Sequence, residues 1–190
     1  MKVIQLHQEE KQLILLAVEN NRQAQQQIYA KFSSKMLSVC RQYIKDIHHA
    51  EDVMITGFMK VFTNLKNFEH KGSFEGWIRR IMIYECIDFI RVKKNNFNHQ
   101  DIDDVTVSEN ESVYEMEDFS VDDIQNMIDN LPDGYKMVFN LYAIEGYKHQ
   151  EIAEMLKISE GTSKSQLSNA RKLLQQHHRI KKETQWYQIN

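Results

Sequence analysis

Apolar residues return near every fourth position over much of the chain, the pattern of helices that bury one face. Ala24, Ile28, Phe32, Met36, Cys40, Ile44 and Ile47 make one such stripe. Val53, Phe58, Val61, Phe62 and Leu65 make a second. The run Phe68-Glu69-His70-Lys71-Gly72-Ser73 breaks the pattern, and a third stripe follows through Phe74, Trp77, Ile78, Ile81, Met82, Cys86, Phe89 and Ile90. Ser73 stands where a hydroxyl would cap that third helix by accepting from the free N–H groups of its first turn. Three or four helices this apolar on one face predict a self-sufficient small bundle.

Periodicity fades over residues 95–123 and returns at Ile124. Ile124, Met127, Ile128 and Leu131 predict a short helix that Pro132 ends, because proline disfavours helical geometry in the residue before it. Helices are then expected at about 133–144, 148–156 and 160–176, the last two separated only by Lys157-Ile158-Ser159. Ser159 is placed to cap the second of these, and so short a turn between two helices is the helix-turn-helix layout. The expected fold is therefore all-α, two small helical domains joined by a flexible linker. Their expected extents are 1–94 and 123–182, with the linker at 95–122 and a tail at 183–190.

Composition supports this reading. One proline and six glycines leave few residues for the turns of a sheet-rich fold. The apolar run Leu13 to Val18 is far short of the roughly 18 residues that a membrane span needs, and it has no signal-peptide layout. Cys40 and Cys86 both fall within apolar stripes, as packed, reduced thiols of a cytoplasmic protein would.

The net charge of −3 hides an asymmetry. Residues 1–94 hold 15 Lys/Arg against 10 Asp/Glu, residues 95–123 hold 10 acidic residues and no Lys/Arg, and residues 124–190 hold 9 Lys/Arg against 7 Asp/Glu. Two basic blocks flank an acidic strip that repels itself and has little apolar surface to offset the repulsion, which predicts a solvated tether. In the free protein that strip could also lie against basic surfaces near Arg79–Lys94 or Lys164–Lys182 and mask them.

Two segments carry chemistry. In the predicted helix-turn-helix, Ala153 is small where the helices would cross, and Ile152, Leu156 and Ile158 supply an apolar wedge. The second helix then offers Lys164, Ser165, Ser168, Asn169, Arg171 and Lys172 as donors to phosphates or base edges, as a helix in the major groove does. In the other segment, Arg79, Arg80, Arg91, Lys93 and Lys94 accompany Phe68, Phe74, Trp77, Tyr84 and Phe89. Cations with aromatics suit single-stranded DNA, although Trp77 and Phe89 share a stripe with core positions; residues of the break, 68–73, are better placed to touch a base.

These segments resemble the extracytoplasmic-function sigma factors of the sigma-70 family. His49-Ala50-Glu51-Asp52-Val53 followed by Phe58-Met59-Lys60-Val61-Phe62 is similar to their "AED…F.K.F" helix. Phe68 to Phe74 with Trp77-Ile78-Arg79-Arg80-Ile81 resembles "F…F..WL.RI", and Ile87-Asp88-Phe89-Ile90-Arg91 resembles "iD.lR". Leu131-Pro132, Glu151-Ile152-Ala153-Glu154 and Gly161-Thr162-Ser163-Lys164-Ser165 through Ala170-Arg171-Lys172-Leu173-Leu174 resemble the fourth domain of that family.

The resemblance implies roles. Glu51, Asp52, Phe58 and Lys60 would dock on the clamp helices of the largest subunit of core RNA polymerase, whose flap is a second contact. The loop Phe68–Ser73, with His70 and Lys71, would hold an unstacked base of the −10 element. Trp77, Arg79 and Arg80 would support strand opening, and Arg91, Lys93 and Lys94 would lie near the duplex backbone. Thr162, Lys164, Ser165, Ser168, Asn169, Arg171 and Lys172 would read the −35 element. The linker would thread the polymerase interior, and an anti-sigma factor or other regulatory protein would be a further partner.

The chain also departs from the family pattern. Gly57 should weaken its helix by about 1 kcal/mol relative to alanine. The usual "RIA.N" appears as Arg80-Ile81-Met82-Ile83-Tyr84, without its asparagine. Ser163 replaces the valine of "GTVK", and Gln166 and Asn169 replace arginines, so duplex affinity should be modest.

No enzyme is expected. The pairs His48-His49 and His177-His178 are poor chelates, since adjacent helical residues point about 100° apart, so neither metal nor cofactor is expected. Glu51-Asp52 has no phosphate-cradling loop or nucleophile beside it. The competing readings are a helix-turn-helix regulator that binds duplex without polymerase, and a sigma-like adaptor that starts no transcription.

Overall fold

The computed structural model describes the backbone of residues 2–96 and 120–189, and the side chains of 9–93, 120 and 123–176. The chain divides into two compact units, Met1–Val92 and Lys93–Asn190. All regular elements among the described residues are helical. The acidic strip lies almost entirely outside the described residues, as does the masking expected of it.

The first unit holds α1 (Lys2–Val18), α2 (Arg22–Tyr43), α3 (Ile47–Asn64), a 3₁₀ turn (Leu65–Asn67) and α4 (Phe74–Asn96). The three predicted stripes meet in its core, with Ile28, Met36, Val61, Ile78 and Met82 at most 1% exposed. Cys40 and Cys86 are free and buried there, as expected. A hydrogen bond with Cys40 and the loss of solvent both push the Cys86 thiol far above its ordinary range.

The first stripe belongs to two helices rather than one. Ile44 is the extended C-cap of α2, and Asp46 caps α3 by accepting from the His49 N–H at 2.9 Å. Ile44 stays buried, but Ile47, now on a new helix axis, is 42% exposed. Spacing alone could not reveal the break, because the apolar register carries across it.

Gly57 is buried on α3, where a β-carbon would overlap the Met82 sulfur of α4. The propensity cost expected of this glycine is thus tied to a close helix crossing. Ser73 caps α4 as expected, its Oγ accepting from the Gly76 N–H at 3.1 Å.

The second unit holds α5 (Val121–Asp129), α6 (Asp133–Phe139), a π turn (Asn140–Ile144), α7 (His149–Leu156) and α8 (Glu160–Ile189). α5 starts before Ile124, because Ser120 and Asp123 form a reciprocal capping box. Two acidic residues of the strip therefore sit in a first helical turn, where the N-terminal dipole favours negative charge. α8 continues past the expected end at 176, through the residues expected to form a tail. Its inner face packs Ala170, Leu173 and Leu174 against Leu131, Tyr135 and Phe139.

Inside this unit Asp129 and Lys136 form an ion pair at 3.0 Å, with side chains 0% and 5% exposed. Gln125 also donates to Asp129 at 3.4 Å. The pair joins α5 to α6 across the Pro132 turn, a polar tie that hydrophobic periodicity could not disclose.

Candidate nucleic-acid and polymerase interface

The helix-turn-helix forms as the spacing predicts. α7 ends at Lys157 in the left-handed conformation, φ 57°, and the Ile158 N–H returns to the Ala153 carbonyl at 3.1 Å. Ser159 then caps α8, its Oγ accepting from the Thr162 N–H at 2.9 Å and lying 2.8 Å from the Thr162 hydroxyl. Ile152 is fully buried between the helices. Ser163 is fully buried too, but its hydroxyl lies 2.9 Å from His149 Nδ1. The polar group in the hairpin core is therefore partnered from α7.

Along α8, Lys164, Ser165, Ser168 and Arg171 are exposed on the side away from the α6 packing. Lys164 pairs with Glu160 at 2.7 Å one turn earlier, which holds the Glu160 carboxyl below its usual range. Thr162 and Lys172 are half-buried, Thr162 committed to the cap. Asn169 turns inward and donates to the Tyr135 hydroxyl at 3.3 Å, tying α8 to α6. Arg171 lies over the Tyr142 ring, 5.7 Å to the centroid, and Tyr142 stacks on His149 at 4.6 Å. The π turn thus carries an aromatic support for Arg171 on the exposed face.

In the first unit the break 68–73 is a tight turn, with positive φ at His70 (57°) and Gly72 (86°). Phe68 points into the protein rather than out of it, 8% exposed and packed against His70, Phe74 and Trp77 with ring centroids 4.8, 5.1 and 5.5 Å away. The exposed residues of the turn are Glu69, His70, Lys71, Gly72 and Ser73. Lys71 pairs with Glu69 at 2.7 Å. Trp77 is half-buried beside the turn, and Arg80 is exposed with its guanidinium 5.9 Å from the Tyr84 ring centre. Arg79 is half-buried, Arg91 bonds Asp88 at 3.1 Å and Lys93 is exposed; the Lys94 side chain lies outside the described residues.

The four residues expected to meet polymerase do not share one face of α3. Asp52 is exposed and Glu51 half-buried, 3.7 Å from His48. Phe58 is 2% exposed and packs edge-on to Tyr29 at 4.8 Å, so it belongs to the core. Lys60 reaches across to an ion pair with Glu85 of α4. Sequence reasoning missed Ile55 and Met59, which are 49% and 65% exposed. They stand three and seven residues after Asp52, on the polar side of α3. Two apolar residues out of phase with the buried stripe were the signal available in the sequence.

Comparison with known proteins matches these two units. Residues 28–96 match Sigma-70 region 2, and residues 121–174 match Sigma-70, region 4. The chain is 29% identical over 161 residues to the ECF RNA polymerase sigma factor SigW of Bacillus subtilis (strain 168), covering 78% of this chain and 85% of that one. It is 29% identical over 135 residues to the ECF RNA polymerase sigma factor SigE of Mycolicibacterium smegmatis (strain ATCC 700084 / mc(2)155), covering 68% and 52%. Among solved structures it resembles the sigma factor RpoE from Bartonella quintana, solved in complex with the anti-sigma factor NepR. There the TM-score is 0.54 at 19% identity, covering 82% of this chain and 96% of that one, a likeness of fold. Both regions, in order and each on its own helical unit, place the chain among the ECF sigma factors of the sigma-70 family.

Proposed function

We propose that this protein directs core RNA polymerase to a specific set of promoters and assists their opening, as a subunit without catalytic chemistry of its own. The observation that carries the reading is the pairing of a region 2 unit with a region 4 unit, each presenting cations beside aromatic or hydrogen-bonding side chains. α8 offers Lys164, Ser165, Ser168 and Arg171 to the −35 duplex, with Thr162 and Asn169 holding the helix and Lys172 at its flank. Trp77, Arg79 and Arg80 stand beside the −10 strand, with His70, Lys71 and Ser73 at the turn and Arg91, Lys93 and Lys94 along the backbone. Phe68 acts from below, as support for the turn.

Asp52 together with Ile55 and Met59 forms the surface for the clamp helices of the polymerase. A charge beside two exposed apolar side chains has the make-up of a small interface core with a polar rim. The acidic linker expected at 95–122 would serve as the tether between region 2 and region 4. Among the described residues no helix is long and apolar enough to cross a membrane, and the protein works where the polymerase does, in the cytoplasm. Its activity would be set by an anti-sigma factor or another regulatory protein.

Gel filtration with core polymerase stripped of its own specificity subunit tests the reading. The chain should co-elute with core in moderate salt; elution as two separate species contradicts it.

A further inference from the structure

Four side chains of the second unit make a path of contacts from the core of the helix-turn-helix to its exposed face. Ser163 of α8 is fully buried, and its hydroxyl lies 2.9 Å from His149 Nδ1 on α7. The half-buried His149 ring stacks on Tyr142 of the π turn, with centroids 4.6 Å and planes 22° apart. Tyr142 is 37% exposed, and the Arg171 guanidinium lies over its ring at 5.7 Å. Ser163 and Arg171 belong to the same helix, so the path leaves α8 and rejoins it about two turns later. None of Tyr142, His149 and Ser163 belongs to the site expected from the sequence.

Each link has a physical consequence. An imidazole bonded through one nitrogen to a buried hydroxyl is held in one orientation. Its face then stands at a fixed angle to Tyr142, an exposed ring that would otherwise rotate more readily. A guanidinium over an aromatic face gains cation–π attraction and keeps its N–H groups, which lie in its plane, open to a ligand. Lys164 is held by a carboxylate, Glu160 at 2.7 Å, whereas the ring that holds Arg171 takes none of its charge. Arg171 stands eleven residues after Glu160, about 16 Å along the helix axis. In a helix whose first turns meet base edges in the major groove, a residue that far on reaches the strand backbone.

We propose that Tyr142 and His149 are positioning residues that hold Arg171 against a phosphate of the upstream promoter duplex, with the buried Ser163 hydroxyl as their anchor. The family pattern has valine at 163, which offers an imidazole no hydrogen bond, so this hold on His149 depends on the serine found here. The same departure that puts a polar group in the hairpin core thus contributes to duplex binding, through two residues that need not touch DNA. An arginine fixed in advance loses less freedom on meeting its phosphate than one that must be ordered by it.

The inference rests on the reading of α8 as the −35 helix, and its test separates the two. Holoenzyme made from core polymerase and full-length protein is titrated, at several salt concentrations, with a double-stranded promoter fragment from a start site mapped with wild type. Arg171→Ala should lower the slope of log affinity against log salt by about one, as loss of one phosphate contact does. Tyr142→Ala should weaken binding about three- to fivefold, the size of one exposed cation–π contact, and Tyr142→Phe should retain it. Ser163→Val should weaken binding about two- to threefold, a part of that contact, with no fall in the unfolding midpoint. In an Arg171→Ala background neither Tyr142→Ala nor Ser163→Val should change affinity by more than about 1.5-fold, which a general loosening of the fold would not give. Losses that persist in that background, an effect of Tyr142→Phe equal to that of Tyr142→Ala, or an unchanged salt slope for Arg171→Ala would each overturn the positioning role. Absence of specific starts with wild-type holoenzyme would instead remove the reading of α8, and this inference with it.

Discussion

Gly57 and Met82 face each other where α3 crosses α4, so close that a β-carbon on one would overlap the sulfur of the other. Met82 is fully buried, so its thioether has little room to move aside. It also stands where the resembling pattern has alanine, and the glycine opposite leaves room for the larger side chain.

That match predicts a coupling. Gly57→Ala gains up to about 1 kcal/mol of helix propensity but forces an overpacked contact that costs about 1–3 kcal/mol, a net loss of stability. In a Met82→Ala background the same change should be neutral or stabilising. Urea unfolding of the four proteins gives the interaction energy directly, and additivity within about 0.5 kcal/mol would contradict the packing.

The Asp129–Lys136 pair predicts an asymmetry between breaking and replacing. Lys136→Ala removes the ammonium that pairs with a carboxylate of no exposure, and should destabilise the second unit by about 3–5 kcal/mol. Asp129→Leu and Lys136→Met made together replace both charges with apolar side chains, and the double variant should lose far less stability. Thermal unfolding of full-length protein, followed by near-ultraviolet circular dichroism, distinguishes them. Equal losses in the single and double variants would contradict the buried pair.

The hydrogen bond between Cys86 and Cys40 and the burial of Cys86 disfavour its thiolate, the form that reacts. A Cys86 thiol pushed up stays protonated at neutral pH, and Cys40 is fully buried beside it, so neither cysteine should react with a disulfide reagent in native protein at about pH 8. Both should react on addition of denaturant. Rapid labelling without denaturant would mean that the α2–α4 core opens readily.

Met59→Glu should weaken association with core polymerase by about tenfold or more while leaving the unfolding midpoint unchanged, because Met59 is 65% exposed. Phe58→Ala should do the reverse, losing about 3–5 kcal/mol of stability through a cavity. Equal effects of the two on binding at equal stability would contradict the assignment of α3 faces.

Much of the architecture was legible because it rests on local chemistry. Ser73 and Ser159 cap helices as their positions imply, and the three residues 157–159 turn between two helices as their brevity demands. The interface was less legible. Phe58 and Phe68 carry a family resemblance, yet both face inward, since conformity to a motif does not distinguish a contact from its support. Asn169 reads as a donor to DNA in sequence and as a tie to Tyr135 in the fold. The Asp129–Lys136 pair, the Ser163–His149 bond and the Arg171–Tyr142 contact all join residues on different elements, and helical period carries no information about such pairs.

The central claim is that this chain confers promoter choice on polymerase. Transcription in vitro, with core polymerase, this protein and fragmented genomic DNA, tests it most directly. The account predicts RNA 5′ ends clustered at a few sites that share two upstream elements, and their loss when Lys164 and Arg171 are both changed to alanine. Transcripts that start only when a different sigma factor is added, or no specific starts at all, would contradict it.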